Sequence, residues 1–195
     1  MSLPHAILTA LLERPSSGLE LTRRFDRSIG YFWSATHQQI YRELGRLEQS
    51  GYIRALTSAR PARGRKKEYE VLPAGREELT GWVSGREDPK PVRDPLLLRM
   101  RAAAVVGTDG LPDELRRHLA LHERQLAEYT DIEARDFAAE PRERTEASGT
   151  AGRTEADRLR HLVLRAGMDL ERMWVEWLTE ALRGASAAPA GSDGP

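Results

Sequence analysis

The sequence has no cysteine, which excludes disulfides, thiolate metal sites and a cysteine nucleophile together. Aromatic residues are scarce, at 6%. No apolar run approaches the roughly 20 residues that a membrane-crossing helix needs. The opening MSLPHAILTALLERP has neither the cationic start nor the small-residue cleavage site of an export signal. These absences predict a cytoplasmic protein with no membrane contact; no metal site and no cofactor are expected either. Net charge is also missing, because 30 basic residues meet 30 acidic ones. What remains is 195 residues, 39% hydrophobic and 31% charged, enough for one domain plus a smaller one or for two modest domains.

The neutral total hides a division. From Arg23 to Lys67 there are eleven bases: Arg23, Arg24, Arg27, Arg42, Arg46, Arg54, Arg60, Arg63, Arg65, Lys66 and Lys67. Only Asp26, Glu43 and Glu48 oppose them, so the segment carries a net +8. A basic block inside a neutral chain points to a polyanionic partner for that block alone. The competing explanation is a solvated charged face.

Apolar spacing divides the chain into elements. Ala6, Ile7, Ala10 and Leu11 predict a helix over 3–13, and Arg14-Pro15-Ser16-Ser17-Gly18 breaks it. Leu21 and Phe25 predict a second helix from Leu19 to about Arg27. An aromatic connector, Ser28 to Trp33, leads to Ser34, the expected N-cap of a third helix that ends before Gly51. Tyr52 to Leu56 and Lys67 to Leu72 then read as the two strands of a hairpin, with the basic loop SARPARGRKK at its tip. Pro73 opens a fourth helix. This order of elements is that of a winged helix-turn-helix, so the expected class is mainly α: a winged N-terminal domain over 1–86, a linker over 87–94 and a helical dimerisation and effector domain over 95–183. In the last domain, Leu115, Leu119, His122, Leu126 and Tyr129 form one stripe. Leu159, Val163, Ala166, Leu170, Met173, Trp177 and Leu178 recur at the alternating steps of a coiled-coil seam. The segment from Glu140 to Asp157 has no apolar period, and residues 184–195 read as a disordered tail.

The third helix carries the informative chemistry. On a helical wheel, Leu44 and Leu47 lie within about 40° of Ile40. Gln38, Arg42 and Gln49 lie opposite, with Gly45 and Arg46 beside them. Glutamine and arginine present planar hydrogen-bonding forks that match purine edges in the major groove. A basic hairpin tip would meet phosphates alongside. The candidate DNA contacts are Ser34, Thr36, His37, Gln38, Gln39, Tyr41, Arg42 and Arg46, with Arg60, Arg63, Arg65, Lys66 and Lys67 on the wing. A surface helix of a protein-interaction domain is the plainer alternative.

Elsewhere the chemistry is sparse. His118 and His122 are four apart, but no HExxH pattern surrounds them, and His122 is expected as a hydrogen-bonded interface histidine. His122, Met173, Trp174 and Trp177 form a candidate wall for a small aromatic effector, or else ordinary core. No glutamate pair, serine-base pair or phosphate loop suggests catalysis, so no enzyme is expected.

FWSATHQQIYRELGRLEQSGYI followed by GRKKEYEVLPAGREEL, with HAILTALLERPSSGLEL upstream, resembles the PadR family of bacterial transcriptional regulators, in particular its AphA-like branch. The resemblance is dense over residues 3–82 and looser beyond. It implies a homodimer joined by its C-terminal helices, a repressor or activator role, and in some members release by phenolic or planar aromatic effectors. Leu19 stands where the family often has tyrosine, which puts one phosphate contact in doubt. Leu72 stands where threonine commonly precedes Pro-Ala-Gly, which removes a hydroxyl cap from the fourth helix. The expected function is a sequence-specific DNA-binding regulator, a repressor acting as a homodimer on an inverted-repeat operator of double-stranded DNA. The alternatives are a protein-interaction adaptor that retains the winged fold and a ligand sensor working through the helical domain.

Overall fold

The computed structural model describes residues 3–25, 35–56, 67–137 and 154–187, distributed over two units, Met1–Lys90 and Pro91–Pro195. The first helix, α1 (Leu3–Glu13), buries Ile7, Leu8, Ala10 and Leu11 along one side. At its C-terminal end Arg24 adds a donor. Its Nη1 donates at 2.6 Å to the Ala10 carbonyl, which also accepts from the Arg14 N–H, and at 3.3 Å to the Arg14 carbonyl, while Nη2 meets Glu13 at 2.7 Å. A cation at this pole also complements the helix dipole.

Residues 14–18, predicted only as a break, hold a short strand, β1 (Ser16–Ser17). Ser17 is also the N-cap of α2 (Gly18–Arg24), through a reciprocal capping box. Its hydroxyl accepts from the Glu20 N–H, and the Glu20 carboxylate accepts from the Ser17 N–H at 2.9 Å. The helix therefore starts one residue before the predicted Leu19 and is regular to Arg24; its predicted end at Arg27 lies outside the described residues. The aromatic connector and Ser34 lie outside the described residues.

After α3 (His37–Gln49) come β2 (Ile53–Leu56) and β3 (Glu68–Val71), antiparallel with Ile53 opposite Val71 and Ala55 opposite Tyr69. The sheet has three strands in the order β1-β3-β2, not the two predicted. Ser16 pairs with Tyr69 and Ser17 with Glu68 on the other side of β3. Two small buried serines carry no alternation of polarity, so their sequence gives no strand signal. Ile53 and Tyr69 close a core with Ile7, Leu8, Leu11, Leu21, Phe25, Ile40, Leu44 and Leu47. Fully buried side chains of this kind contribute about 1.5–3 kcal/mol each. The fourth helix, α4 (Pro73–Ser84), starts at Leu72 with no side-chain cap, as that departure from the family pattern predicts. His5 ties α1 to α4 by stacking on Trp82 at 4.6 Å and meeting Glu78 at 3.3 Å.

In the second unit, Asp94 caps α5 (Pro95–Val106) by accepting from the Leu96 N–H at 2.7 Å. Two longer helices follow, α6 (Leu111–Asp136) and α7 (Glu155–Ala187). They pack together around the buried Leu115, Tyr129, Leu164, Met168 and Leu178. Gly167 lets the Tyr129 ring lie on α7, where a Cβ would stand 3.1 Å from it. α7 continues to Ala187, past residue 184 where the tail was expected, and residues 188–195 lie outside the described residues. The predicted seam divides. Leu159, Val163, Leu170 and Met173 are 54%, 45%, 52% and 45% exposed in the single protomer, whereas Leu178 of that seam is buried, and Leu164 and Met168, outside it, are buried as well. The helix is apolar on two sides, and spacing alone cannot say which side its own protomer fills. No helix among the described residues is long and apolar enough to cross a membrane.

Candidate nucleic-acid interface

Both ends of α3 are built into the sequence. Thr36, not Ser34, is its N-cap. The Thr36 hydroxyl accepts from the Gln39 N–H at 3.2 Å, and Gln39 Oε1 accepts from the Thr36 N–H at 2.8 Å. Thr36-His37-Gln38-Gln39 is the T-x-x-Q signature of a capping box, so the signal was legible. At the other end, Gly51 has φ 72°. Its N–H donates to the Glu48 carbonyl at 3.1 Å, and the Tyr52 N–H donates to the Leu47 carbonyl at 3.0 Å. That pair of bonds is a Schellman stop, which needs a left-handed residue and so favours glycine.

Between these stops, Ile40, Leu44 and Leu47 are buried, while Gln38, Arg42, Arg46 and Gln49 are exposed. The helix is held from one side and presents forked polar side chains on the other. Tyr41 stands at the edge of this ridge, half-exposed, with its ring on Gly18; a Cβ there would be 2.5 Å from Tyr41 Cε1. His37 is exposed in the first turn. Thr36 and Gln39, taken from sequence as contacts, have side chains engaged in the cap. Arg46 meets Glu43 at 3.4 Å.

Of the wing cations, Lys67 alone is among the described residues; Arg60, Arg63, Arg65 and Lys66 lie outside them. Lys67 Nζ donates to Glu48 at 2.8 Å and stands 5.1 Å from the centroid of the Tyr69 ring. The hydrogen bond to Glu48 raises its pKa above the ordinary lysine value. Glu48, which the sequence reading did not single out, thus fastens the base of the wing to α3. Two cations of the basic block are matched by acids from beyond it, Arg24 by Glu13 and Arg54 by Glu70. A charge count along the sequence misses such long-range pairs.

The candidate effector residues divide. His122 stacks on Trp174 at 5.3 Å and donates from Nδ1 to the Glu171 carboxylate, while Trp177 meets Trp174 edge-on at 5.5 Å. His122 is therefore hydrogen-bonded between α6 and α7. Met173 is exposed instead, because it lies on the outward side of α7. The His118 and His122 rings are 6.3 Å apart, and each histidine faces a glutamate, Glu114 and Glu171 respectively.

Residues 7–81 match the model of the "Transcriptional regulator PadR-like family" and residues 92–184 match "Virulence activator alpha C-term". A Mycobacterium tuberculosis protein named "Probable transcriptional regulator Rv1176c" is 39% identical over 190 residues, covering 92% of this chain and 95% of that protein. The chain belongs to the PadR family. Its likeness to AphA, the Vibrio cholerae virulence activator, extends over 95% of this chain and 99% of AphA, at 30% identity and a TM-score of 0.75. This likeness and the match over residues 92–184 are consistent with the AphA-like branch. Bacillus subtilis PadR in complex with operator DNA matches at 26% identity and a TM-score of 0.73, over 94% of this chain and 98% of that one. The same PadR in complex with p-coumaric acid matches at 27% and 0.69, with the same coverage. This PadR-family protein is a transcriptional regulator, not an enzyme, and its N-terminal unit has the winged-helix DNA-binding fold of its relatives.

Proposed function

We propose that the protein is a homodimeric repressor that inserts α3 into the major groove of an inverted-repeat operator and lays its wing along the adjoining backbone. The observation that carries this reading is the ridge of Gln38, Arg42 and Gln49, exposed opposite the buried Ile40, Leu44 and Leu47 on a helix stopped at both ends. Such a helix is held rigidly enough to convert side-chain forks into base preference. Binding of operator DNA by B. subtilis PadR supports the same use here. The basic loop of residues 58–67 supplies the cations that a neighbouring phosphate strand would attract.

The p-coumaric acid complex of PadR supports release by a small planar aromatic acid. In this chain the stacked His122 and Trp174, with Trp177 beside them, offer flat faces for such a ring. An effector acts by favouring a conformation that binds the operator less tightly, so its differential affinity sets the size of the response.

Selection of bound duplexes from a random library tests this function. The expected product is a motif with dyad symmetry. Arg42→Ala weakens binding to it and relaxes preference at one position of each half-site, by about 1–3 kcal/mol. Failure to enrich any motif sinks the proposal, and unchanged discrimination in Arg42→Ala removes that residue from base reading.

A further inference from the structure

Four glycines inside or at the start of helices have different surroundings. At Gly75 a Cβ would stand 2.3 Å from the Tyr52 carbonyl oxygen, at Gly18 2.5 Å from the Tyr41 ring, and at Gly167 3.1 Å from Tyr129. Backbone fills the space at Gly75 and tyrosine rings crowd it at the other two, so a side chain at each would displace the protein's own packing. At Gly45, in the middle of α3, nothing among the described residues lies within 4 Å of that position. Glycine lowers helix stability relative to alanine, and no contact among the described residues offsets the loss here.

Position 45, itself partly buried, lies between the exposed Arg42, one turn before it, and the exposed Gln49, one turn after it. Gln38 falls on the same side two turns back. A gap in the middle of an outward-facing ridge acts only on something that arrives from outside. The three flanking side chains reach forward, so what meets the gap must project toward the helix axis. In a major groove, base edges form the floor and sugar–phosphate strands form the projecting walls. A helix that enters by its N-terminal half passes the wall with its later residues.

We propose that Gly45 is the point where a sugar–phosphate strand of the bound duplex comes closest to α3, and that the missing side chain sets how deeply Gln38 and Arg42 seat. Gly45 is a positioning residue. The proposal rests on the reading that α3 enters the major groove. It adds a stability–affinity opposition that a merely structural glycine would not show.

Gly45→Ala tests it, with Gly81→Ala as the control. Gly81 lies in α4, and its Cβ position is likewise open among the described residues. Both variants are expected to raise the Tm of the N-terminal unit by several degrees, because both gain helix propensity. Only Gly45→Ala should lose affinity for the duplex selected by the wild-type protein, by roughly tenfold, comparable to one mismatched base pair. The rank order of single-base duplex variants should not change, since a backbone wall carries no base identity. Three results overturn the proposal: undiminished affinity in Gly45→Ala, a loss confined to one base pair, or a lowered Tm. If the wild-type protein selects no duplex, the proposed function itself has failed, which is a different outcome.

Discussion

At Glu114 two guanidinium groups and an imidazole meet one carboxylate. Arg117 donates to it at 2.8 and 2.9 Å, Arg99 donates at 2.8 Å from α5, and His118 stands 3.3 Å away. The Arg117 hydrogen bond, followed by the neighbouring charges, holds the Glu114 carboxyl down at about 2, below its ordinary value of 4.5. A folded-state value below the unfolded one adds stability that is complete above the ordinary value and is lost as pH falls toward the folded value. The second unit is therefore expected to lose stability between about pH 5 and pH 2, and Glu114→Gln to flatten that fall. Thermal unfolding across the interval checks it; identical slopes for the two proteins would show that Glu114 does not contribute. Arg99 and Glu114 are fifteen residues apart, so no local pattern shows that they meet. Arg117 and His118, one turn from Glu114, were within reach of helical spacing.

The element scale separates what local chemistry specifies from what packing specifies. α3 is bounded by a T-x-x-Q box and a Gly51 stop, both readable from the sequence. Thr36→Ala should cost about 1 kcal/mol by leaving the Gln39 N–H without its cap. The measurement is the Tm of the N-terminal unit, and an unshifted value would mean that α3 is held by packing alone. The wing differs. Its strands were legible from their alternation, but the Lys67–Glu48 tie to α3 joins residues that nothing in sequence places together. β1 was missed for a related reason. Ser16 and Ser17 become a strand because β3 offers free hydrogen bonds at its other edge, and that edge exists only once the unit is folded.

For the whole molecule, α7 poses the question of assembly. One side of it packs against α6, and the other exposes Leu159, Leu162, Val163, Leu170 and Met173. A second copy covering that side would form the dimer of the proposed function. Leu162→Glu combined with Leu170→Glu should shift the protein from dimer to monomer in sedimentation without unfolding the protomer, since both residues are exposed, at 53% and 52%. Persistence of the dimer would locate the interface elsewhere.

The sequence by itself determined the local features: the order of the helices and of the two hairpin strands, the cap and stop signals that bound α3, the side of it that is buried and the side that is polar. Each depends on residues within a turn or two of one another, so spacing and cap chemistry suffice. Tertiary structure alone decided which of the two apolar sides of α7 faces α6, which cations of the basic block are matched by distant acids, and that a third strand completes the sheet. Those outcomes join residues far apart in the chain, and they arise only when folding brings the partners within bonding distance.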